Sequence, residues 1–302
     1  MTLSEEVDMD RPWLIGLGEL LWDILPEGEQ LGGAPANFGY HAAALGAEGF
    51  TVSTVGRDDR GARALRELAG KGLVTDGIAV SDRWPTGYVE AKLDGQGIAS
   101  YHFPDNVAWD HLIINDAAQA AAARAAAVCF GSLCQRSADS RRAIERFLGQ
   151  MPASALKIFD VNLRQHFYSE EILRFSLDQA DVVKLNDDEL PVVAGLFRLS
   201  GGQEEQMLQL RQMFGLRLVI LTRGGKGSLL VAAAGVSDHP GVPTELVDTI
   251  GAGDSFTATV AVGLLLGLPL AEINGLANRL AAFVCSRTGA MPAIPAEYRL
   301  IR

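Results

Sequence analysis

An aspartate follows a run of small residues in VDTIGAGDSFTATVAVGLLLG, residues 247–267, and an almost wholly apolar stretch follows it. That stretch has no broad polar face, which predicts a buried helix ending with the segment. At the start of such a helix, Gly251, Ala252 and Gly253 would offer backbone N–H groups to an anion such as a phosphate. Asp254 would repel the anion unless it takes the proton of a second substrate's hydroxyl group. The segment predicts phosphoryl transfer; the alternative is a tight turn in which Asp254 is only the N-cap.

The composition excludes several classes of partner. The chain has 302 residues, with 26 Lys and Arg against 37 Asp and Glu, and it has no basic block that could follow a phosphate backbone. We therefore expect no nucleic-acid partner. The start, MTLSEEVDMDRPW, is polar and acidic, unlike a secretory signal, and no apolar run approaches the length of a membrane span. These features predict a cytoplasmic protein that does not bind membranes.

The elements that must position Asp254 follow an alternating pattern. Apolar runs of strand length alternate with segments of helical period, as in a mainly parallel sheet covered by helices. The predicted core strands are WLIGLG (13–18), AAVCFG (126–131), LKIFDV (156–161), DVVKLN (181–186) and LVILTRG (218–224). The predicted helices include 60–70, 137–149, 204–214 and an exposed alanine-rich helix over 117–127, with Asp116 as its cap.

Two regions interrupt this alternation, at 24–31 and 85–102. Within the second, TGYVEAKLDGQGIASYHF alternates apolar and polar residues around the turn signal DGQG. We interpret the two regions as a small β-sheet that projects from the α/β body. Its strands would have exposed edges, which makes a homodimer through this sheet plausible.

Three familiar motifs do not fit. GLGELL begins like a dinucleotide-binding fingerprint but has Leu21 where the third glycine belongs. GGKGS is not a P-loop, because its lysine is followed by Gly227 instead of Ser or Thr. The five histidines and three cysteines are scattered and match no metal-ligand or disulfide spacing.

Taken together, DTIGAGDSF and LGGAPANFGYHAAALGA (31–47) resemble the two signatures of the PfkB/ribokinase family of small-molecule kinases. The similarity spans nearly the whole chain and is greatest to fructokinase-type members. It includes GELLWD (18–23), VGRDDRG (55–61), FDVNLR (159–164), KLNDDE (184–189) and TRGGKGS (222–228). The resemblance implies one α/β domain over 1–302. This would be a ribokinase-like three-layer sandwich with a mainly parallel central sheet and a small β-sheet lid from about 21–36 and 85–106.

The resemblance also implies roles for residues on the acceptor side. Asp254 corresponds to the catalytic base, and residues 251–253 correspond to the anion hole. Asp23, Gly33 and Asn37 match positions that bind sugar hydroxyls; carboxylate and amide groups can pair with vicinal hydroxyls, and a glycine admits a ring close to the backbone. A capped turn alone would also explain GGAPAN.

Polar residues at two predicted strand ends imply contacts with phosphate and magnesium. Asn186 and Glu189 match the N-x-x-E element of the family, which arranges Mg²⁺ mostly through water; the alternative is a strand end that runs into an acid-rich helix start. Lys184 either points at phosphate or is a solvated lysine at a strand edge. Arg164 is expected to hold a phosphate or the substrate, and its alternative is an ion pair with Asp160.

On the nucleotide side, Thr222, Gly224 and Gly227 fit the family's ATP-binding loop. Asn278 falls on a late helix that commonly borders the adenine, with a plain surface amide as the alternative. Many family members also bind a monovalent cation such as K⁺. The matching positions are Asp248, Ile250, Val284, Arg287 and Gly289, although Ala293 stands where a serine often completes that site.

The function implied is that of an ATP- and Mg²⁺-dependent sugar kinase, with fructose as the leading acceptor. The segment SYHFPDNVAWDHL departs from the usual fructokinase pattern, so ribose, 2-keto-3-deoxygluconate and nucleosides remain as alternatives. A nucleoside acceptor would call for an aromatic ring under the base, from Phe38, Phe103 or Trp109. An alternative of another class is a non-catalytic nucleotide or sugar sensor. It is disfavoured because Asp254, Asn186 and Glu189 are all present.

Overall fold

The computed structural model describes residues 11–25, 28–93 and 99–302, along which strands and helices alternate. The strands are β1 (Trp13–Leu17), β2 (Leu21–Leu25), β3 (Gly28–Gly32), β4 (Glu48–Gly56), β5 (Ile78–Ser81), β6 (Gly87–Leu93), β7 (Ala99–His102), β8 (Ala125–Gly131), β9 (Leu156–Asp160), β10 (Val182–Asn186), β11 (Leu218–Thr222), β12 (Ser228–Ala232) and β13 (Gly235–His239). The helices are α1 (Ala34–Ala44), α2 (Asp59–Gly70), α3 (Asp116–Arg124), α4 (Ala138–Gln150), α5 (Glu170–Gln179), α6 (Glu189–Phe197), α7 (Gln203–Phe214), α8 (Ala252–Leu265) and α9 (Leu270–Cys285).

Within the described ranges, nine strands form the larger sheet in the order β13-β12-β11-β10-β9-β8-β1-β4-β5. Neighbours from β11 to β5 pair in parallel, and β12 and β13 add an antiparallel end. The five predicted core strands correspond to β1, β8, β9, β10 and β11. Because these strands are parallel, their carboxyl ends lie along one edge of the sheet, where ligands of open α/β sheets bind.

Helices cover both faces of this sheet, which confirms the predicted three-layer α/β sandwich. One apolar cluster joins the sheet to α1, α8 and α9, and another joins it to α3, α4, α5, α6 and α7. Side chains such as Val260 of α8 and Leu221 of β11 are fully buried. Burying a side chain of this size contributes about 1.5–3 kcal/mol, so the two clusters supply much of the stability.

Helix α3 differs from its prediction in its cap, in its exposure and in its end, because residues 125–127 belong to β8. Its cap is Asn115, whose side chain accepts a hydrogen bond of 2.9 Å from the Ala118 N–H, and not Asp116. An asparagine immediately before the first helical residue meets the free N–H groups of the first turn, whereas Asp116 already lies inside the helix. Ala121 and Ala122 are buried against the sheet, so the helix is not exposed on all sides. The chain then enters β8 directly.

A smaller sheet has the order β3-β2-β6-β7 among the described residues. It packs on α2 through the buried Trp22, whose Nε1 donates to the Arg60 carbonyl at 3.1 Å. Glu29 of β3 accepts hydrogen bonds from the side chains of Arg60 and Arg63 on the same helix. The predicted DGQG turn between β6 and β7 lies outside the described residues, as does most of the acidic start of the chain.

Across the described parts of the chain, no helix combines the length and the apolar character that crossing a bilayer requires.

Candidate active site

Helix α8 begins at the carboxyl edge of the larger sheet and carries Asp254 in its first turn. Its N-cap is Gly251, in the left-handed conformation with φ 78°, and the cap makes no side-chain hydrogen bond. A Cβ at Gly251 would lie 2.4 Å from the Ala290 carbonyl oxygen, so this close turn requires a glycine. Asp254 is the third residue of the helix and not its N-cap. The alternative in which Asp254 only caps the helix is therefore wrong.

The first turn of α8 presents backbone donors, as an anion site requires. The N–H groups of Gly253 and Asp254 belong to the turn that has no acceptor within its own helix. The Ala252 N–H makes a bond of 3.3 Å to the Thr249 carbonyl, so it is partly engaged by the preceding turn. A Cβ at Gly253 would lie 3.1 Å from Lys184 Nζ, which puts an ammonium group beside these donors.

Asp254 is joined to helix α1 by a side-chain hydrogen bond. Asn37 Nδ2 donates to Asp254 Oδ2 at 2.7 Å, across 217 positions of sequence. Asn37 is 3% exposed, and its own Oδ1 has no hydrogen-bond partner among the described residues. The two motifs found in the sequence therefore meet at one carboxylate. A buried amide oxygen without a partner marks a place where a ligand could bind.

The pKa of Asp254 is raised to about 6, chiefly by burial and next by the negative charge of Asp160. The hydrogen bond from Asn37 and the positive charges of Lys184 and Arg164 oppose this rise. An acid with a pKa near 6 is ionised at neutral pH but binds a proton more readily than an exposed aspartate. This pKa suits a general base, since such a group works best with a pKa close to the working pH.

A buried ion pair supports the start of α8 from the sheet. Lys184 Nζ of β10 lies 3.1 Å from Asp160 Oδ1 of β9, and both side chains are less than a tenth exposed. Asp160 Oδ2 accepts a bond of 3.3 Å from Thr257 Oγ1 on α8. Burial alone would lower the pKa of Lys184, but Asp160 and Glu189 raise it overall, so the ammonium group stays charged. Lys184 is therefore not a solvated lysine at a strand edge.

Arg164 does not pair with Asp160, which is occupied by Lys184. It is exposed, and its Nη1 donates to the Leu163 carbonyl at 3.1 Å. The residues Asn162 and Gln165 hold this loop in left-handed conformations, with φ 41° and 49°. Such conformations cost about 1–3 kcal/mol in residues other than glycine and cluster at functional sites.

The predicted sugar-binding residues surround the same edge. Asp23 lies on β2, and Gly33, with φ 123°, is the N-cap of α1. A Cβ at Gly33 would lie 2.6 Å from the Glu19 carbonyl oxygen, so the backbone there runs too close for a side chain. Burial raises the pKa of Asp23, and Arg164 opposes that rise. Because Arg164 also lowers the pKa of Asp254, one guanidinium acts on acids from β2 and α8.

Asn186 and Glu189 hold each other in a reciprocal cap where β10 leads into α6. Asn186 Oδ1 accepts from the Glu189 N–H at 2.9 Å, and Glu189 Oε2 accepts from the Asn186 N–H at 2.8 Å. Glu189 Oε1 accepts from the Leu163 N–H, and burial raises the pKa of its carboxyl group. The segment is therefore a strand end that runs into an acid-rich helix start, as the alternative predicted, whether or not it also serves Mg²⁺. Asn186 Oδ1 also accepts from the Asp188 N–H at 2.9 Å, which uses both of its lone pairs, whereas each Glu189 oxygen keeps one. Glu189 therefore fits a role towards Mg²⁺ through bound water better than direct ligation, and Asn186 holds Glu189 in place.

The predicted nucleotide loop joins β11 to β12. Thr222 ends β11, Gly224 begins a short 3₁₀ turn with φ 54°, and Gly227 follows it with φ 79°. A Cβ at Gly227 would lie 2.0 Å from the His239 carbonyl oxygen. The loop is thus a tight backbone turn with little side-chain bulk.

Asn278 is not a surface amide. It is 7% exposed, and its Nδ2 donates to Ser228 Oγ at 2.7 Å and to the Asn274 carbonyl at 2.8 Å. Ser228 Oγ in turn donates to Asn274 Oδ1 at 2.6 Å. This network ties α9 to the start of β12, next to the nucleotide loop. The amide donors of Asn278 are therefore engaged by protein atoms.

Three of the five predicted cation positions meet at Asp248. Its Oδ1 accepts from the Ile250 N–H at 3.0 Å and its Oδ2 from the Gly289 N–H at 2.9 Å. The Val284 carbonyl accepts from the Arg287 N–H, and the Arg287 guanidinium lies over Phe283. Searched over the described residues, the chain has no group of three His, Cys, Asp or Glu side chains that could hold a metal. A cation here would depend on main-chain oxygens.

The sequence reasoning missed two acids of this site. Asp160 was considered only as a partner of Arg164, and Glu19 was not singled out, although Asp160 ends β9 and Glu19 lies two residues after β1. Glu19 is 3% exposed, and burial raises its pKa to about 7. An acid at the carboxyl end of a predicted parallel strand is the signal that would have identified both.

Comparison with known proteins gives a consistent result. The sequence matches the model described as pfkB family carbohydrate kinase over residues 27–297. It is 31% identical over 296 residues to a sugar kinase of Pyrococcus horikoshii, covering 92% of this chain and 91% of that protein. The crystal structure of that uncharacterized sugar kinase in complex with ATP has a TM-score of 0.77, at 29% identity and covering 92% of this chain and 94% of the other.

Two fructokinases are also similar. One from Klebsiella pneumoniae is 30% identical over 301 residues, covering 92% of this chain and 95% of that protein. A structure of fructokinase from Vibrio cholerae O395, in a fructose, ADP and calcium ion bound form, has a TM-score of 0.80 at 22% identity, covering 95% and 96% of the two chains. At that identity the second likeness shows a shared fold, and it agrees with the predicted ribokinase-like architecture.

Proposed function

The chain belongs to the pfkB family of carbohydrate kinases, and from that premise we propose that it transfers the γ-phosphoryl group of ATP to a hydroxyl group of fructose. It is a sugar kinase, a phosphotransferase with an alcohol group as acceptor. The observation that carries the proposal is the hydrogen bond from Asn37 to Asp254, which joins the sugar-binding motif to the base. Similarity to several proteins named fructokinase supports fructose as the acceptor.

Asp254 is the group that takes the acceptor proton in this proposal. Its Oδ2 is held by Asn37 Nδ2, so the carboxylate is oriented before the substrates bind. As the hydroxyl oxygen attacks the γ-phosphorus, its proton passes to the carboxylate and the bond to the β,γ-bridging oxygen breaks. A positioned base contributes roughly 10²–10⁴-fold to such a reaction. Because the pKa of Asp254 is about 6, the proton is accepted at neutral pH and is released to solvent afterwards.

The start of α8 and Lys184 stabilise the phosphoryl group in transfer. The backbone N–H groups of Gly253 and Asp254 and the positive end of the helix dipole point at the carboxyl edge of the sheet. The Lys184 ammonium lies beside them and stays charged through Asp160. These groups act mainly by position and charge, which is the principal requirement of phosphoryl transfer.

ATP is proposed to lie along the loop of Thr222, Gly224 and Gly227, with its phosphates towards α8. The crystal structure of the P. horikoshii relative is a complex with ATP, which supports this assignment. Glu189, held in place by Asn186, would hold Mg²⁺ through its waters, and a bound Mg²⁺ would neutralise phosphate charge. We assign Asn278 to support of the nucleotide loop, because its amide is bonded to Ser228 and Asn274. We also propose that K⁺ binds at Asp248, Ile250, Val284, Arg287 and Gly289, largely through main-chain oxygens.

The smaller sheet is proposed to be a lid over the acceptor, formed from about 21–36 and 85–106. It carries Asp23, and it leads through Gly33 into α1, which carries Asn37. Closure would exclude water, which would otherwise compete with the sugar as an acceptor. We also propose that two chains pair through the lid and that the enzyme works in the cytoplasm, where ATP is available. Light scattering in solution checks the dimer.

The alternatives differ in the acceptor. Phe38 and Trp109 are 1% exposed and are packed in the apolar core, so neither is free to stack on a base. Phe103 is half-buried against Phe167, 5.5 Å between ring centroids. A nucleoside is therefore less well supported than a sugar. Arg164, exposed and near Asp23, keeps an acidic sugar such as 2-keto-3-deoxygluconate as the second candidate.

The test measures ADP release from ATP at pH 7.5 with fructose, ribose, 2-keto-3-deoxygluconate and adenosine, each against a reaction without acceptor. We expect fructose to give the highest kcat/KM and a product phosphorylated at one hydroxyl. A higher kcat/KM for the sugar acid or adenosine would refute the fructose assignment. If no acceptor raises the rate of ADP release above that with ATP alone, the proposal that the protein phosphorylates sugars, sugar acids or nucleosides is contradicted.

A further inference from the structure

Glu19 lies at the floor of the acceptor side and has no role in the mechanism above. It follows Gly18 in the connection from β1 to β2 and is 3% exposed. A cavity of about 10 Å³ opens beside it, about the volume that admits one water molecule. The cavity is lined by the start of α1 at Ala34 and Pro35, by the end of β8 at Cys129, Phe130 and Gly131, and by Asp160 and Asn162.

The position of this cavity associates Glu19 with the acceptor instead of the nucleotide. Its wall at Pro35 is the first turn of α1, whose N-cap Gly33 lies against the Glu19 backbone. Its wall at Asn162 is the loop that carries Arg164. None of its lining residues belongs to the nucleotide loop between β11 and β12.

The Glu19 carboxyl group has a buried oxygen that no protein atom satisfies. Oε2 has no hydrogen-bond partner among the described residues. A buried carboxylate without partners is unfavourable by several kcal/mol, whereas a protonated carboxyl group needs an acceptor for its one O–H. The geometry therefore leaves room for a hydrogen-bond partner of Oε2 from outside the protein, and burial favours the neutral form of the carboxyl group over the ionised form.

The charges around Glu19 agree with a neutral acid near neutral pH. Its pKa is raised to about 7, chiefly by burial and in part by the nearby acids Asp254 and Asp160, while its own backbone N–H and Arg164 oppose the rise. The titratable and charged groups that face it come from β8, β9, α8 and the two connections that follow β8 and β9. These are Cys129, Cys134, Asp160, Arg164 and Asp254.

We propose that Glu19 is a specificity-determining residue, whose protonated carboxyl group donates a hydrogen bond from Oε2 to an oxygen of the acceptor, directly or through one water molecule in this cavity. The inference rests on the proposed function in that it needs an acceptor with hydroxyl or carbonyl oxygens. When Glu19 ionises, the donor is lost and a second negative charge appears near Asp254. Acceptor binding, and not ATP binding, then weakens as pH rises.

The experiment measures KM for the acceptor and for ATP between pH 6 and 9 in the wild type, Glu19→Gln and Glu19→Ala. It uses whichever acceptor of the panel is turned over best, so a failure of fructose leaves this test intact. The wild-type acceptor KM is expected to be flat at low pH and to rise about tenfold per pH unit well above pH 7, since one proton is required. Glu19→Gln keeps a donor and cannot ionise, so its acceptor KM stays low at every pH. Glu19→Ala raises the acceptor KM roughly tenfold at pH 6 through the lost hydrogen bond.

Two results would overturn the inference. One is a Glu19→Gln enzyme that keeps the alkaline rise of the wild type, because another group would then titrate. The other is a Glu19→Gln enzyme as impaired as Glu19→Ala at pH 6, because the donor would then be irrelevant. If the variants do not fold, calorimetry of acceptor binding to the wild type at pH 8, in buffers of different ionisation enthalpy, decides the matter. Uptake of about one proton is expected at that pH, and no uptake contradicts the proposal.

Discussion

Asn37 Nδ2 lies 2.7 Å from Asp254 Oδ2, and this contact joins the first turn of α8 to α1. It places the residue that would bind sugar hydroxyls in direct contact with the residue that would take the proton. The acceptor and the base are thus positioned by one rigid unit made of two buried helices. The predictions below test this unit, the charges behind it and the backbone around it.

Replacing Asn37 with alanine is expected to move the acidic limb of the kcat profile to higher pH. The hydrogen bond from Asn37 lowers the pKa of Asp254, which lies at about 6, so its loss lets that pKa rise. The measurement is kcat against pH from 5 to 9 with saturating ATP and acceptor. Asn115→Ala is the control, since it removes the cap of α3, costs about 1 kcal/mol of stability and should leave the limb unchanged. A limb that moves to lower pH in Asn37→Ala would contradict the account.

Lys184→Met is expected to destabilise the fold by about 3–5 kcal/mol, because it leaves Asp160 buried without its partner. The double variant Asp160→Asn with Lys184→Met should lose less than the sum of the two single changes, since neither charge then remains unpaired. Urea unfolding at pH 7.5 gives the free energies.

The matched control for this ion pair is Arg57→Ala, which removes an exposed pair with Asp82 whose side chains are 69% and 77% exposed. Exposed pairs contribute little to stability, so Arg57→Ala should be mild. If Lys184→Met proves as mild as Arg57→Ala, the ion pair does not support the site as described.

Gly33→Ala is expected to impair acceptor binding more than Gly28→Ala. Both glycines have positive φ, 123° and 133°, so both substitutions carry backbone strain. At Gly33 a Cβ would also lie 2.6 Å from the Glu19 carbonyl oxygen, whereas at Gly28 no atom of the described residues would lie within 4 Å. The melting temperatures of the two variants report the backbone strain that both share. The acceptor KM reports the close contact that only Gly33 makes. Equal effects of the two changes would argue against a required close approach at Gly33.

The free energy of unfolding of the wild type is expected to fall between pH 5 and pH 8 by more than that of Glu19→Gln. The folded pKa of Glu19, about 7, is raised above its ordinary value of 4.5, so its protonated form contributes stability at low pH. That contribution is lost as pH rises through about 7. The difference between the two pH values should favour the variant by on the order of 2 kcal/mol. Urea unfolding at both values measures it, and a difference of zero would mean that Glu19 titrates normally.

The strands of the larger sheet could be located from the sequence where they are uniformly apolar. The five predicted strands are buried on both faces and carry few polar residues, so their pattern is clear. β4 was missed because Thr51, Ser53 and Thr54 interrupt its apolar residues, yet all three are buried. Thr54 Oγ1, for example, accepts from the Ile113 N–H at 2.8 Å, a partner 59 positions away. The local sequence does not reveal this distant partner, and it does not reveal that the Thr51 and Ser53 hydroxyls are buried with no partner among the described residues.

The candidate site was predictable in its motifs but not in its pairings. GGAPAN and DTIGAGD each contain glycines that only close backbone packing explains, so Gly33, Asn37 and Asp254 could be selected in advance. The pairing of Lys184 with Asp160 depends on the order of β9 and β10 in the sheet, and so does the burial of both charges. The sequence could have pointed to Glu19 by its position just after a predicted strand, but its buried oxygen without a partner is a property of the folded chain.

The central claim is that the Asp254 carboxylate takes the acceptor proton, and Asp254→Asn tests it most directly. The new amide oxygen can still accept from Asn37 Nδ2, so the geometry is kept while the base is lost. Rapid-quench single turnovers at pH 7.5, with radiolabelled ATP and excess enzyme, report phosphoryl transfer itself. We predict that transfer slows by roughly 10²–10⁴-fold while the Kd of ATP changes little. Transfer within a few fold of the wild-type rate would contradict the account.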